Sequence, residues 1–228
     1  MRKILCAAVV AAMALAFGVS TADAIDPGTF AEVASGIVLV RADCAAGTST
    51  GTGFLVGSRV VMTARHVVKG CRNTRIHTSK GEWIRVRSII PWSEADRSDI
   101  DVATLRLARD ASGWVFHLRP NQAPIGVNVA AIGHPLGADI AVTQGKILLR
   151  THRQVFVRLL GAEGASGSPF VDNAGNVIAI LQQGYGSADA IGQRTAGVVS
   201  GYDFSSRWAA WRRALCKAYP YGGVADCA

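Results

Sequence analysis

The chain has 228 residues, with 24 lysines and arginines against 16 acidic residues and a formal net charge of +8. This length is enough for one substantial core or two small barrels that share an interface, and it excludes a second module of ordinary size. The positive charge can attract anionic surfaces or polymers, but no Lys/Arg run of the kind that marks nucleic-acid binding is present. We therefore interpret the charge as spread over a soluble surface and expect no nucleic-acid partner.

The N-terminus has the parts of a secretory signal peptide. Basic Arg2 and Lys3 precede an apolar run at 4–19, and small residues close the segment. The run is shorter than the roughly 18 to 20 residues that a membrane span needs. We predict cleavage after Ala24, which leaves 204 residues and, without Arg2, Lys3 and Asp23, a net charge of +7. No stable membrane insertion is expected after this cleavage.

Four cysteines lie beyond the predicted signal: Cys44, Cys71, Cys216 and Cys227. An even number in an exported chain suggests two disulfides, with three possible pairings. The spacing favours Cys44 with Cys71 and Cys216 with Cys227, because each pair closes one local loop. No His/Cys group has metal-ligand spacing, so we expect no metal and no cofactor.

Short strands recur along most of the chain, separated by Gly, Ser, Asn and Pro turns. The predicted strands cover 37–40, 54–56, 59–63, 83–90, 101–107, 128–132, 140–143, 145–149, 154–160, 168–171, 177–182 and 195–199. Only 204–219 has helical spacing, with Trp208, Trp211 and Leu215 at i, i+3 and i+7. This rhythm predicts an all-β barrel or sandwich closed by one helix.

Three stretches carry residues whose side chains can take part in catalysis. Ser166 lies between Gly164 and Gly167, where the backbone can turn sharply and expose a hydroxyl. His66 follows an apolar strand, and Asp101 stands at the start of another. Each alone is compatible with an ordinary role, as a turn serine, a packed histidine or a strand-start acid. Together they supply the nucleophile, base and orienting carboxylate of acyl transfer, and the N–H groups of Gly164 and Ser166 would form the oxyanion hole.

At this point the chain resembles the trypsin-like serine peptidases, and more closely their exported bacterial branch, the Deg-type proteases and glutamyl endopeptidases. The stretches that carry the likeness are Gly51-Thr52-Gly53-Phe54-Leu55-Val56, Val61-Met62-Thr63-Ala64-Arg65-His66-Val67, Asp101-Val102-Ala103-Thr104-Leu105, Gly133-His134-Pro135-Leu136-Gly137 and Gly164-Ala165-Ser166-Gly167-Ser168-Pro169. The resemblance implies two perpendicular six-stranded antiparallel β-barrels within a peptidase domain at 25–228. The expected bounds are about 33–115 and 122–203 for the barrels and 204–219 for the helix. His66 and Asp101 would come from the first barrel and Ser166 from the second.

Two neighbours compete for catalytic roles. Asp99 shares a strand face with Asp101, but only Asp101 fits the family's Asp-Val-Ala-x-Leu pattern. Ser168 has the small-residue position before proline, whereas Ser166 has the flanking glycines. We assign the roles to Asp101 and Ser166.

Ala165 departs from the animal digestive enzymes, which place an aspartate there to receive a new N-terminal ammonium. That ion pair cannot form in this chain, so we predict activity without processing beyond signal removal.

The family's spacing puts Leu160 at the base of the primary specificity pocket, with Gly184 and Gly197 on its walls. A leucine floor offers no charge to pair with a basic or acidic side chain, so we expect an apolar residue before the scissile bond. Gln182, Gln183 and Gly184 would offer backbone groups to an extended protein or peptide substrate by strand addition.

Two other functions share parts of this pattern. One is a trypsin-like fold without catalysis, an exported binding protein whose charge engages envelope polyanions. The other is an esterase that uses the same triad, although Gly164-Ala165-Ser166-Gly167-Ser168 lacks the final glycine of the α/β-hydrolase elbow. No PDZ-like region follows Val199, so we expect a monomer, either periplasmic or fully secreted.

Overall fold

The computed structural model describes residues 25–92, 100–185, 197–205, 208–219 and 224–227. The predicted signal peptide and Asp99 lie outside these residues. No helix among the described residues is both long and apolar enough to cross a bilayer.

The first half of the chain forms a closed barrel of six antiparallel strands in the order β1-β2-β3-β6-β5-β4. Its strands are β1 (Ile37–Cys44), β2 (Gly47–Gly57), β3 (Val60–Thr63), β4 (Arg72–Thr78), β5 (Trp83–Pro91) and β6 (Ala103–Leu107). Alternating burial along β1 and β4 places the apolar side chains inside the barrel and the polar side chains outside. Gly51 and Gly53 allow β2 to pass close to its neighbours, because a Cβ at either position would lie 2.6 Å from a valine methyl group.

The second half forms another closed barrel, in the order β10-β11-β12-β9-β8-β7. Its strands are β7 (Asn128–Gly133), β8 (Ala141–Arg150), β9 (Gln154–Arg158), β10 (Pro169–Val171), β11 (Val177–Tyr185) and β12 (Val198–Asp203). All pairs are antiparallel, which is the arrangement that short strands joined by tight turns favour. The predicted all-β, two-barrel fold is therefore confirmed.

Each barrel has its own apolar interior, and a third cluster joins the two barrels. Leu55, Ile76 and Leu105 belong to the first interior, and Val157 and Phe170 to the second. The joining cluster includes side chains from both barrels, among them Phe54, Met62, Ile132, Val171 and Ile180. Because this cluster is buried and largely apolar, its close packing positions one barrel against the other.

The closing helix packs against this joining cluster. It spans Trp208–Ala218, within the predicted range, and buries Trp211 and Leu215. The Trp211 indole N–H donates to the Tyr202 hydroxyl at 2.9 Å, so the helix is tied to β12. We call this helix α3, because two shorter helices precede it.

The described residues add two short helices and one strand, β4, that the sequence did not predict. Helix α1 spans Pro27–Ala34 and begins at Asp26, whose carboxylate accepts from the N–H groups of Gly28 and Thr29. An acidic N-cap followed by proline is a start signal for a helix. Helix α2 is a single turn, Arg65–Val68, directly after β3.

Both disulfides join the pairs that local spacing favours. Cys44 bonds to Cys71, and Cys216 bonds to Cys227. The first closes the end of β1 onto Cys71, three residues after α2 and directly before β4, so it braces the short helix that carries His66. The second ties helix α3 to the C-terminal residues.

Candidate active site

His66 and Asp101 meet at the end of the first barrel. His66 lies in α2 immediately after β3, and Asp101 lies just before β6, the neighbour of β3. The His66 ring Nδ1 is 2.6 Å from one carboxylate oxygen of Asp101, and the His66 backbone N–H donates to the other at 2.7 Å. One carboxylate thus holds both the ring and the backbone of the histidine. A carboxylate partner at Nδ1 keeps a proton on that nitrogen and leaves Nε2 as the basic atom.

The second barrel contributes to the position of Asp101. The Gln182 side-chain amide, on β11, donates to the Asp101 backbone carbonyl at 3.2 Å. The sequence predicted that the backbone of Gln182 contacts substrate, and its side chain joins the two barrels beside the carboxylate. The His66 side chain remains 47% exposed and that of Asp101 29% exposed, so substrate and solvent can reach the pair.

Ser166 lies in the turn between β9 and β10, against the first barrel. Its carbonyl accepts from the Thr52 N–H at 2.9 Å. Gly167, with φ of +90°, makes this approach possible, since a Cβ there would lie 2.1 Å from the Thr52 carbonyl oxygen. The same Cβ would lie 2.9 Å from the backbone nitrogen of Ala64, the residue before α2. The serine turn and the histidine helix are therefore neighbours across the barrel junction.

The Ser166 hydroxyl forms no hydrogen bond with any described residue, including His66. In apo enzymes a catalytic hydrogen bond is often long or poorly aligned and tightens in the substrate complex. Ser168, the competing serine, is only 1% exposed, and its hydroxyl is enclosed without a partner. Of the two, only Ser166, which is half-buried, can be approached by a substrate.

Two backbone N–H groups of this turn are available to a ligand. Neither Gly164 nor Ser166 donates a backbone hydrogen bond to another described residue. The carbonyl of Glu163 accepts from the Leu136 N–H at 2.5 Å. Because C=O and N–H of a trans peptide point in opposite directions, this bond turns the Gly164 N–H away from residues 134–137. Gly164 has a φ of +82°, and a Cβ there would lie 2.7 Å from the His134 carbonyl oxygen, so only glycine fits.

Thr52 links these segments, a role that sequence reasoning missed. Its hydroxyl donates to the Gly164 carbonyl at 2.9 Å and accepts from the His134 N–H at 2.9 Å. Thr52 is fully buried, so both bonds are shielded from water. The Gly-Thr-Gly motif marked this strand in the sequence, but nothing in it indicated which side chain would hold the serine turn.

Leu136 is the second residue that holds the serine turn and that the sequence did not reveal. It has a φ of +56°, a conformation that costs a residue other than glycine roughly 1–3 kcal/mol. Half of its side chain is exposed, so side-chain packing does not account for the conformation. Its N–H holds the Glu163 carbonyl, and we attribute the strained turn to that contact.

His134 is neutral at the centre of this network. Its Nδ1 lies 2.8 Å from the Ala138 carbonyl, and its Nε2 is enclosed without a partner among the described residues. Burial lowers the pKa of His134 below its usual 6.5, because a charged imidazolium would be poorly solvated there.

A small cavity of about 160 Å³ lies behind the serine turn. Leu160, Ala162, Ala165 and Leu181 form part of its wall, and no charged side chain lines it among the residues that the structure describes. Leu160 is also 47% exposed. Gly184 and Gly197 lie near the paired ends of β11 and β12, where Gly184 is opposite Val199. No group of three His, Cys, Asp or Glu side chains in the described ranges could hold a metal ion.

Two closed six-stranded barrels of antiparallel strands with a C-terminal helix define the all-β class of chymotrypsin-like serine proteases. The sequence model of the trypsin-like peptidase domain matches residues 51–180, more than half of the chain. The chain belongs to this family.

Similar proteins agree with this class. A probable periplasmic serine endoprotease, DegP-like, from Halomonas elongata is 31% identical over 144 residues, which are 59% of this chain and 29% of that protein. The chain thus spans about three tenths of the length of this relative.

Solved structures show the fold alone, because their sequence identities are low. The active form of the Rv3671c protease from M. tuberculosis has a TM-score of 0.65 at 20% identity, over 82% of this chain and 87% of that one. The HtrA-type protease AlgW with a tripeptide has a TM-score of 0.65 at 19% identity, over 84% of this chain and 63% of that one.

Proposed function

We propose that the protein is an exported serine endopeptidase with a His66, Asp101 and Ser166 triad. The observation that carries this proposal is that the two Asp101 oxygens accept one hydrogen bond from the His66 ring and one from its backbone, beside a serine turn with two unused N–H groups. A structural histidine would not require an accessible Nε2 next to an accessible serine.

The chemistry follows from these positions. Ser166 Oγ attacks the peptide carbonyl while His66 Nε2 takes its proton, and Asp101 stabilises the imidazolium that forms. The negative oxygen of the tetrahedral intermediate accepts from the Gly164 and Ser166 N–H groups. His66 then protonates the leaving amine, and water, deprotonated by His66, hydrolyses the acyl-enzyme. Substrate binding must first bring the Ser166 hydroxyl within hydrogen-bond distance of His66.

An open strand edge beside the serine supports a peptide substrate. In β11, pairing with β10 ends at Ile180, whereas pairing with β12 continues to Tyr185. One edge of 182–185 therefore faces no described strand. Gln182, Gln183 and Gly184 can hydrogen-bond an extended peptide there by strand addition.

The uncharged surroundings of Leu160 support a preference for apolar residues before the scissile bond. A charged side chain that entered this region would lose water without gaining an ion pair. A peptide library tests this directly. Strong selection for basic or acidic residues at that position would contradict the proposal.

Export is supported by the predicted signal peptide, by the two disulfides and by similarity to a probable periplasmic endoprotease of Halomonas elongata. Disulfides of this kind persist in oxidising compartments. The lack of a carboxylate at Ala165 supports activity without further processing. If a form that retains residues before Ile25 were inert and trimming restored turnover, this part would be wrong.

A fluorophosphonate probe tests the catalytic role, since it labels only an activated serine. We expect labelling of the mature chain, none for Ser166→Ala, and normal labelling for the matched Ser168→Ala control. Asp101→Asn should lower kcat by about 10⁴-fold, because the wrong histidine tautomer forms. Absence of labelling in well-folded protein would instead favour a binding protein without catalysis.

A further inference from the structure

Five arginines that are distant in sequence lie on the outer face of the first barrel. Arg41 on β1 is directly opposite Arg75 on β4, and Arg75 is directly opposite Arg85 on β5. Arg87 follows at a bulge in β5, and Arg106, which is opposite Ser88, lies at the far edge on β6, two residues from the Thr104 hydroxyl that bonds Tyr219. All five are exposed. We call this surface the arginine face.

The arginine face lacks compensating charge. Four other arginines, Arg59, Arg109, Arg119 and Arg150, form salt bridges, but none of the five forms one with a described residue. Asp43 is the acid on the same side of β1, and its carboxylate accepts a hydrogen bond from Asn73. Like charges directly opposite on neighbouring strands are destabilising. The register thus concentrates positive charge that the fold itself does not use.

The shape of this face and its exposed tryptophan limit the class of anionic ligand that it can bind. The face is the convex outside of a closed barrel, which offers no groove to a threaded polymer. Trp83 is 42% exposed, but its ring already contacts His77 and the Arg75 guanidinium, each at 4.7 Å. It is therefore not a free platform for stacking nucleic-acid bases. An exposed indole beside arginines is instead suited to the interface of a bilayer.

We propose that the arginine face binds the surface of an anionic phospholipid bilayer. Guanidinium groups match phosphate oxygens with paired hydrogen bonds, and the row of Arg41, Arg75 and Arg85 presents three of them side by side on neighbouring strands. This proposal does not depend on catalysis.

Vesicle co-sedimentation of the mature chain tests the proposal. The two vesicle types are phosphatidylcholine alone and phosphatidylcholine with roughly one third phosphatidylglycerol, a proportion chosen to give an anionic surface. We expect binding to the anionic vesicles only, and its loss when salt rises from about 0.05 M to about 0.5 M, because screening shortens the range of the attraction.

The double variant Arg75→Gln/Arg85→Gln should bind roughly 30-fold more weakly, at about five-fold for each basic residue near the surface. The matched control Arg213→Gln/Lys217→Gln removes the same charge from the exposed side of α3 and should stay within about two-fold of the parent, because neither residue belongs to the row of Arg41, Arg75 and Arg85. Circular dichroism checks that all variants fold.

Three results would overturn the proposal. One is equal binding to neutral and anionic vesicles. Another is an equal loss of binding in the Arg75/Arg85 variant and in the control. The third is binding to heparin or to a DNA oligonucleotide without binding to vesicles, which would assign the face to a soluble polyanion.

Discussion

Replacement of Thr52 by valine isolates the hydroxyl that holds the serine turn. Valine keeps the branched shape of threonine, but it can neither donate to the Gly164 carbonyl nor accept from the His134 N–H. The His134 N–H is buried and would be left without a partner, at a cost of about 1–3 kcal/mol. The Gly164 carbonyl is only partly buried, so water can replace its lost partner. We expect a loss of about 2 kcal/mol in the free energy of unfolding, or roughly 4–8 °C in Tm for a chain of this size.

The effect on catalysis should appear in kcat. Complete removal of one oxyanion-hole donor costs about 10²–10³-fold. Thr52→Val loosens the Gly164 peptide without removing its N–H, so we expect about a 10- to 100-fold fall in kcat. KM should change little, because Thr52 does not line the substrate edge of β11. Steady-state cleavage of a peptide with an apolar residue before the scissile bond measures both values, well below the Tm of the variant.

Thr52→Ser is the matched control, since it keeps the hydroxyl and loses only a methyl group. It should retain kcat within a few-fold of the parent. If Thr52→Val lost stability as expected but kept the parental kcat, the bond to Gly164 would be structural only and our reasoning would be refuted. Equal impairment of the serine variant would assign the effect to the methyl group.

Three further predictions concern the surroundings of the site. Gly164→Ala should slow fluorophosphonate labelling by more than about 100-fold, because the new methyl group would collide with the His134 carbonyl. The control Gly126→Ala has a similar φ of +87° but open space around the new methyl group, so it should label normally. Burial lowers the pKa of His134 in the folded chain. As the pH falls below about 6.5, the His134 imidazole therefore binds a proton more readily in the unfolded chain than in the folded chain, so the free energy of unfolding should decrease on acidification. Urea titrations at neutral and acidic pH should show a smaller decrease for His134→Asn, and an equal decrease would exclude His134 as the cause. Replacement of both Cys44 and Cys71 by serine should cost about 3–4 kcal/mol in urea unfolding, the value for a loop of their spacing, and an unchanged midpoint would contradict this.

The local signals in the sequence predicted the strands and the C-terminal helix better than the contacts between residues that are distant in the chain. Period-two alternation and Gly-rich turns predicted the strands other than β4, which was missed, and the spacing of Trp211 and Leu215 predicted the buried side of α3. Helix α1 was missed although Asp26 and Pro27 form a start signal, because the helix has only eight residues and adds little periodicity. The contact between the Gln182 side chain and Asp101 was also not predicted, since the two residues lie 81 positions apart in the chain.

The amino-acid sequence by itself determined the all-β class, the two cysteine pairs and the motifs around His66, Asp101 and Ser166. These features depend on neighbouring residues and on short loops, so they can be recognised from the sequence alone. Only the tertiary structure decided that Thr52 and Leu136 hold the serine turn and that Arg41, Arg75 and Arg85 form one surface. Such contacts depend on strand register and on the packing of one barrel against the other, and a shift of one residue in register turns every side chain to the opposite face.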